Sequence, residues 1–186
     1  LVCLVGSEMC IRDSSKTERH WELVAGSGAD KLLVGIENVN QRIRYDIGKK
    51  FSNEAIDVQL GFAQKHRIML SLLMIVGWYD ETQEEIDFGK EWLRTHTHFA
   101  DTMYFQWGGT LGIFPNTWLE KNWKELGLIK TSDHPQGWVN PAVDSTPEKR
   151  AVWAKELNDL SRDLGYKVGD QLNNHFLLEK MMANEV

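Results

Sequence analysis

The sequence predicts an α/β fold: a parallel sheet of about three strands alternating with helices, followed by an α-helical tail. Three observations predict it. An unbroken apolar run from Ile68 to Val76 suits a strand buried on both faces. Strand and helix patterns then alternate on either side of that run, as in right-handed βαβ units. After about residue 110 the alternation stops, and a loop rich in Pro and Gly leads into helical periodicity.

Each element has its own signal. The stretch ERHWELVAGSGADKLLVGIENVN reads as a short helix stopping near Gly26 to Gly28, then an apolar strand near 31 to 36. Gln41 to Ile47 is a short helical stretch. In FSNEAIDVQLGFAQKHR, Ile56, Leu60 and Ala63 share one helical face, with Ser52 available as N-cap. The buried strand follows and Gly77 closes it. Thr82 and Glu85 have the spacing of a capping box for a helix reaching about Arg94, with Ile86, Gly89 and Leu93 inward.

DTMYFQWGG is the third strand, with Met103, Phe105 and Trp107 on one face and Tyr104 and Gln106 on the other. FPNTWLEKNWKELG gives a short helix, and TSDHPQGWVNPAVDS a long loop. Thr146 and Pro147 start a helix whose Trp153, Leu157, Leu160 and Leu164 form one stripe, with Gly165 as its stop. A last helix is expected around Leu172 to Met182.

Composition excludes several classes. A chain of 186 residues with 42% hydrophobic residues is long enough for one domain with a real core. A net charge of -6, without a Lys/Arg-rich block, argues against nucleic acid as a partner. No stretch approaches the roughly 20 apolar residues of a membrane span, and the start lacks a secretory signal's charged region, so the chain reads as cytoplasmic. Cys3 and Cys10, the only cysteines, fit neither a disulfide framework nor a zinc site.

Ligands of parallel sheets bind at the C-terminal ends of the strands, which here are GIEN, VGWYDET and QWGGT. Glu37 and Asn38, a carboxylate and an amide directly after a buried strand, suit the hydroxyls of a ligand. Equally, Asn38 caps a turn and Glu37 is a solvated carboxylate. His96 and His98 form an HxH pair without a neighbouring Cys or carboxylate cluster, and read as loop residues. The GSG at Gly26 to Gly28 precedes a strand instead of opening a helix, so it reads as a helix stop, not a phosphate loop. His134, Trp138 and His175 lie in the tail, where they either shape specificity or pack on the sheet.

The stretch KLLVGIENVNQRIRYDIGKKFSNEAIDVQLGFAQKHRIMLSLLMIVGWYDET resembles the middle of a radical SAM protein. Gly35, Ile36, Glu37 and Asn38 match a strand ending in Gly-Ile-Glu-Ser, with Asn for Ser. Gly48, Lys49 and Lys50 occupy an Asn-Lys-Gly turn, and Gly77, Glu81 and Thr82 match Gly-x-Pro-Gly-Glu-Thr, with Tyr79 and Asp80 replacing its Pro and Gly. GTLGIFPNTWLEK resembles a later Pro-Gly-Thr segment, with Asn116 in place of Gly. These fragments keep their order over roughly residues 22 to 120.

The resemblance implies a partial TIM-like barrel that binds S-adenosylmethionine (SAM) beside a 4Fe-4S cluster and yields a 5'-deoxyadenosyl radical. It implies that Glu37, with Asn38 beside it, contacts the ribose and that Lys49 pairs with the methionine carboxylate. It also implies that the Gly77 loop passes the adenosine through its backbone, and that Gln106 and Trp107 line the adenine or the substrate, unless these two simply fill the barrel. A small molecule or another substrate and an electron donor for the cluster are the implied partners.

The cluster motif CxxxCxxC has no match here, since Cys3 and Cys10 are spaced CxxxxxxC without a third partner. By this resemblance GIEN ends the fourth strand, so residues 15–125 are expected to be the C-terminal part of the barrel and 126–186 a helical extension. Residues 1–14 resemble a non-native leader. Two alternatives remain at this stage: another TIM-barrel enzyme without iron, using Glu37 and Gln106 as polar or acid-base groups, and a degenerate barrel acting as an interaction module.

Overall fold

The computed structural model describes residues 17–169. The expected 1–14 leader with its two cysteines, the 172–182 helix and His175 lie outside the described residues.

The chain opens with helix α1 (Glu18–Gly26), strand β1 (Lys31–Glu37) and the short helix α2 (Gln41–Ile47). Helix α3 (Asn53–Lys65) starts on Ser52, whose hydroxyl accepts from the Ala55 N–H, and leads into β2 (Met69–Val76). Helix α4 (Gln83–Thr95) begins with the expected capping box: Thr82 accepts from the Glu85 N–H while the Glu85 carboxylate accepts from the Thr82 N–H. Strand β3 (Met103–Thr110) and helix α5 (Trp118–Asn122) follow.

β1, β2, β3 and a fourth strand lie side by side in chain order, all parallel. The fourth strand, β6 (Lys167–Val168), comes directly after helix α6 (Pro147–Asp163). This corrects two expectations. The sheet has four parallel strands instead of three, and the segment after residue 125 is not simply a helical extension. That segment supplies β6 as well as an antiparallel pair, β4 (Ile129–Lys130) and β5 (Trp138–Val139), the latter inside the expected long loop. The sheet is open, with no barrel closure among the described residues.

One face of the sheet is covered. Val34, Ile36, Leu70, Leu72, Met74, Met103, Phe105 and Trp107 pack with Ile56, Leu60, Ala63, Ile86, Leu93, Trp153 and Leu157 from the helices. Buried aromatic polar atoms connect the helices: the Trp21 indole donates to Gln59 Oε1, the Trp153 indole to Gln83 Oε1, and the Tyr166 hydroxyl to Leu93 O at 2.6 Å. The other face, where Leu33, Gly35, Ser71, Leu73 and Gln106 fall by strand alternation, carries no helix layer among the described residues and is open in part: Leu33 is 53% exposed, Gly35, Leu73 and Gln106 are half-buried, and Ser71 is buried.

Candidate functional site

The open face ends in a cleft of about 350 Å³ at the C-terminal edge of the strands, lined among others by Glu37, Leu73, Ile75, Gln106, Leu111 and Phe114. Its size falls in the range of small-molecule sites, and it combines apolar walls with a few polar groups.

Glu37 reaches the cleft through two local departures from regular strand. Pairing with β2 shifts by one residue between Gly35 and Glu37, and Glu37 itself has φ +70°. That backbone region costs a non-glycine residue of order 1–3 kcal/mol. The turn folds the carboxylate back over Gly35, where Glu37 Oε1 lies 3.4 Å from Lys49 Nζ. Lys49 arrives from the other side: α2 ends at Gly48 with φ +94°, and the Lys49 N–H closes the helix on Arg44 O. Both side chains keep part of their surface, 19% for Glu37 and 27% for Lys49, so the pair is available to solutes.

Gln106 sits on the same face, in the cross-strand row Gly35, Leu73, Gln106, and its amide donates to Ser71 Oγ at 2.6 Å. The buried Thr110 hydroxyl has no partner among the described residues, although Thr110 lines the cleft.

Three other sequence candidates lie elsewhere. Asn38 is buried behind the strand end, where its amide donates to Glu81 Oε1 at 2.8 Å and its carbonyl oxygen accepts from the Asn40 N–H. Gly77 has φ +75°, and an added Cβ would stand 2.2 Å from Arg150 Cδ, so here it is a protein side chain that requires the glycine. Trp107 is a correction: it points into the helix-covered core, stacks on Phe105 with ring centroids 5.1 Å apart, and donates from its indole to Ser161 Oγ. It does not line the cleft. Its opposite direction from Gln106 follows from strand alternation.

Of the weaker candidates, His96 stacks on Trp92 and contacts Asp57, and Trp138 is buried against the Arg150 guanidinium at 3.6 Å. Among the described residues no group of three or more His, Cys, Asp or Glu could hold a metal ion. No helix among them is long and apolar enough to cross a membrane.

A polar scaffold that sequence reasoning did not assign supports the strand ends. Glu81 is buried and accepts from Asn38, from the Gly77 N–H at 2.6 Å and from the Trp78 N–H at 3.0 Å. Burial pushes its carboxyl up to about 7, against the pull of those hydrogen bonds. Arg150 is buried without a carboxylate partner among the described residues; it donates to Ser145 Oγ, Gln136 O and Trp138 O, and burial pushes it down to about 9. Arg44 is likewise buried, donating to Asn38 O, Phe51 O and Asn53, and is pushed down to about 10. Nothing in the sequence around Arg44 or Arg150 distinguishes them from surface arginines, whereas Glu81 carries a signal in its position after a strand-closing glycine.

No family model matches this chain, and no curated protein does. Among solved structures it is similar to TsrM, a radical S-adenosylmethionine methyltransferase from Kitasatospora setae with tryptophan substrate and a SAM analogue (aza-SAM) bound. Identity is 15% and the TM-score 0.48, over 80% of this chain and 34% of that one, so the chain spans about a third of the length of that structure.

Proposed function

We propose that this chain is part of a radical SAM enzyme and that its cleft receives SAM. The observation that carries this reading is the meeting of Glu37 and Lys49 on the open face, at the strand ends where parallel sheets bind their ligands. The motifs that bear the radical SAM resemblance contain these same two residues.

The donor set suits the molecule. A carboxylate accepts from both hydroxyls of a ribose, and an ammonium makes a charge-assisted pair with an amino-acid carboxylate. Without ligand the two side chains neutralise each other at 3.4 Å; with ligand Glu37 exchanges the ammonium for hydroxyl donors and Lys49 exchanges the Glu37 carboxylate for that of the amino-acid group. The Gln106 amide and the apolar wall of Leu73, Ile75 and Leu111 complete a surface for the rest of the molecule. When bound, SAM supplies an activated sulfonium carbon. A 4Fe-4S cluster does not fit the described residues, which hold neither a cysteine nor a metal-ligand group, and no step of it is assigned to them.

Calorimetric titration of SAM into the chain and its variants tests the assignment. Glu37→Ala or Lys49→Ala weakens binding by roughly 1–3 kcal/mol, the scale of hydrogen bonds to charged groups. Unchanged affinity in both variants overturns the site, as does a wild-type chain that binds no SAM.

A further inference from the structure

We infer that Gly35 is a positioning residue of the cleft: its missing side chain is the space in which the Glu37 carboxylate and the Lys49 ammonium meet. A Cβ built on Gly35 would stand 2.5 Å from Glu37 Oε1, 3.5 Å from Glu37 Cδ and 3.3 Å from Lys49 Nζ. The first distance is closer than van der Waals contact allows, and the third leaves no slack.

Backbone conformation does not demand glycine at this position. Gly35 is in the body of β1, paired with Leu73 of β2, and has no positive φ. In a strand interior glycine gives up packing and costs conformational entropy, so its presence calls for a close approach from elsewhere. The approaching atoms here are the two charged groups. The left-handed backbone and the register shift start the Glu37 side chain back along the strand, and its carboxylate, the far end of a flexible chain, would yield to an added Cβ by leaving the place where it meets Lys49. Gly35 therefore acts through Glu37 and Lys49 and touches no ligand itself. The inference concerns only the geometry of the ion pair and holds whichever ligand the cleft receives.

The test is an acylation footprint read by mass spectrometry. Acetic anhydride labels Lys49, with the adjacent Lys50, whose ammonium donates to Tyr45 O, as the internal reference. In the wild-type chain Glu37 shields Lys49. Gly35→Ala displaces the carboxylate, and labelling of Lys49 relative to Lys50 rises several-fold, to the level of Glu37→Ala. In the Glu37→Ala background the same Gly35→Ala change adds nothing, because there is no carboxylate left to displace.

An unchanged Lys49 ratio in Gly35→Ala, or effects of the two substitutions that simply add, overturns the inference. If Gly35→Ala alone fails to fold, the double variant decides: recovery of the fold on removing the Glu37 carboxylate supports the clash, and continued failure to fold overturns it. The footprint uses no ligand, so a chain that binds no SAM defeats the proposed function and leaves this result to be judged separately.

Discussion

Glu37 Oε1 and Lys49 Nζ lie 3.4 Å apart on the open face of the sheet, brought together by a strand that ends in a left-handed residue and a helix that ends in a left-handed glycine. Both are conformations in which a chain turns sharply, and beside Glu37 the turn leaves Ile36 out of the register with β2. Partial exposure makes the pair a weak source of stability, of order 1 kcal/mol or less. Its arrangement thus says more about ligand binding than about folding.

The backbone of Glu37 supplies the first prediction. Glu37→Ala and Glu37→Gly both remove the carboxylate, but only glycine adopts φ +70° without steric cost. Left-handed backbone costs an L-residue about 1–2 kcal/mol. Glu37→Gly is therefore more stable than Glu37→Ala by about 1 kcal/mol in urea unfolding, after allowance for glycine's entropy. Equal midpoints for the two variants exclude strain at this residue.

Much of this geometry was legible in the sequence. The apolar run of β2, the Thr82–Glu85 box and the stripe Trp153, Leu157, Leu160 and Leu164 are long signals in which periodicity and caps agree. β4, β5 and β6 are two residues each, too short for any period to register; β6 exists because β3 offers an edge, and β4 and β5 because they meet each other. At the site, alternation alone separates Gln106 from Trp107. The fold-back of Glu37 over Gly35 depends on a register shift that local sequence does not encode, and the buried Arg44 and Arg150 depend on how the chain on both sides of Arg44 and before Arg150 bends to present its carbonyls.

Glu81 makes stability depend on pH. Its carboxyl is raised from 4.5 in the ordinary state to about 7 when folded, mainly by burial. Between those values the folded chain holds a proton that the unfolded chain has lost, so stability falls as pH rises. The contribution is complete below about pH 4.5 and gone above about 7, with an upper bound of about 3 kcal/mol. Measured against Glu81→Gln, which cannot titrate, the wild-type chain should lose stability across that window. A difference that stays flat from about pH 4.5 to 7 removes Glu81 as the titrating group.

Gly77 and Arg150 should behave as a coupled pair. Gly77→Ala places a Cβ 2.2 Å from Arg150 Cδ and adds the cost of φ +75°. We expect a loss of several kcal/mol, beyond the roughly 1–2 kcal/mol of the backbone alone. Arg150→Ala is itself destabilising, since Gln136 O and Trp138 O lose their donor. In that background, however, Gly77→Ala should cost little beyond the backbone share, because only Arg150 Cβ, 3.2 Å away and kept by alanine, still faces the new methyl group. A double-mutant cycle by thermal or urea unfolding reads the difference, and strict additivity rules out the collision as the reason for glycine.

Neighbouring Gln106 and Trp107 should separate binding from folding. Gln106 faces the cleft, and its amide is spent on Ser71 Oγ, a contact between two side chains on the open face. Gln106→Ala removes a polar group from the ligand surface while the helix-covered core is untouched, so SAM affinity falls by roughly 1 kcal/mol and stability changes little. Trp107 is buried on the opposite face against Phe105, with its indole N–H on Ser161 Oγ. Trp107→Phe keeps an aromatic ring there but removes the donor and part of the volume, so it lowers stability by about 1–3 kcal/mol and leaves SAM affinity as it was. Urea unfolding and calorimetric titration on both variants give four numbers. If Trp107→Phe weakens SAM binding as much as Gln106→Ala does, without a matching loss of stability, the indole belongs to the ligand site and its placement in the core is wrong.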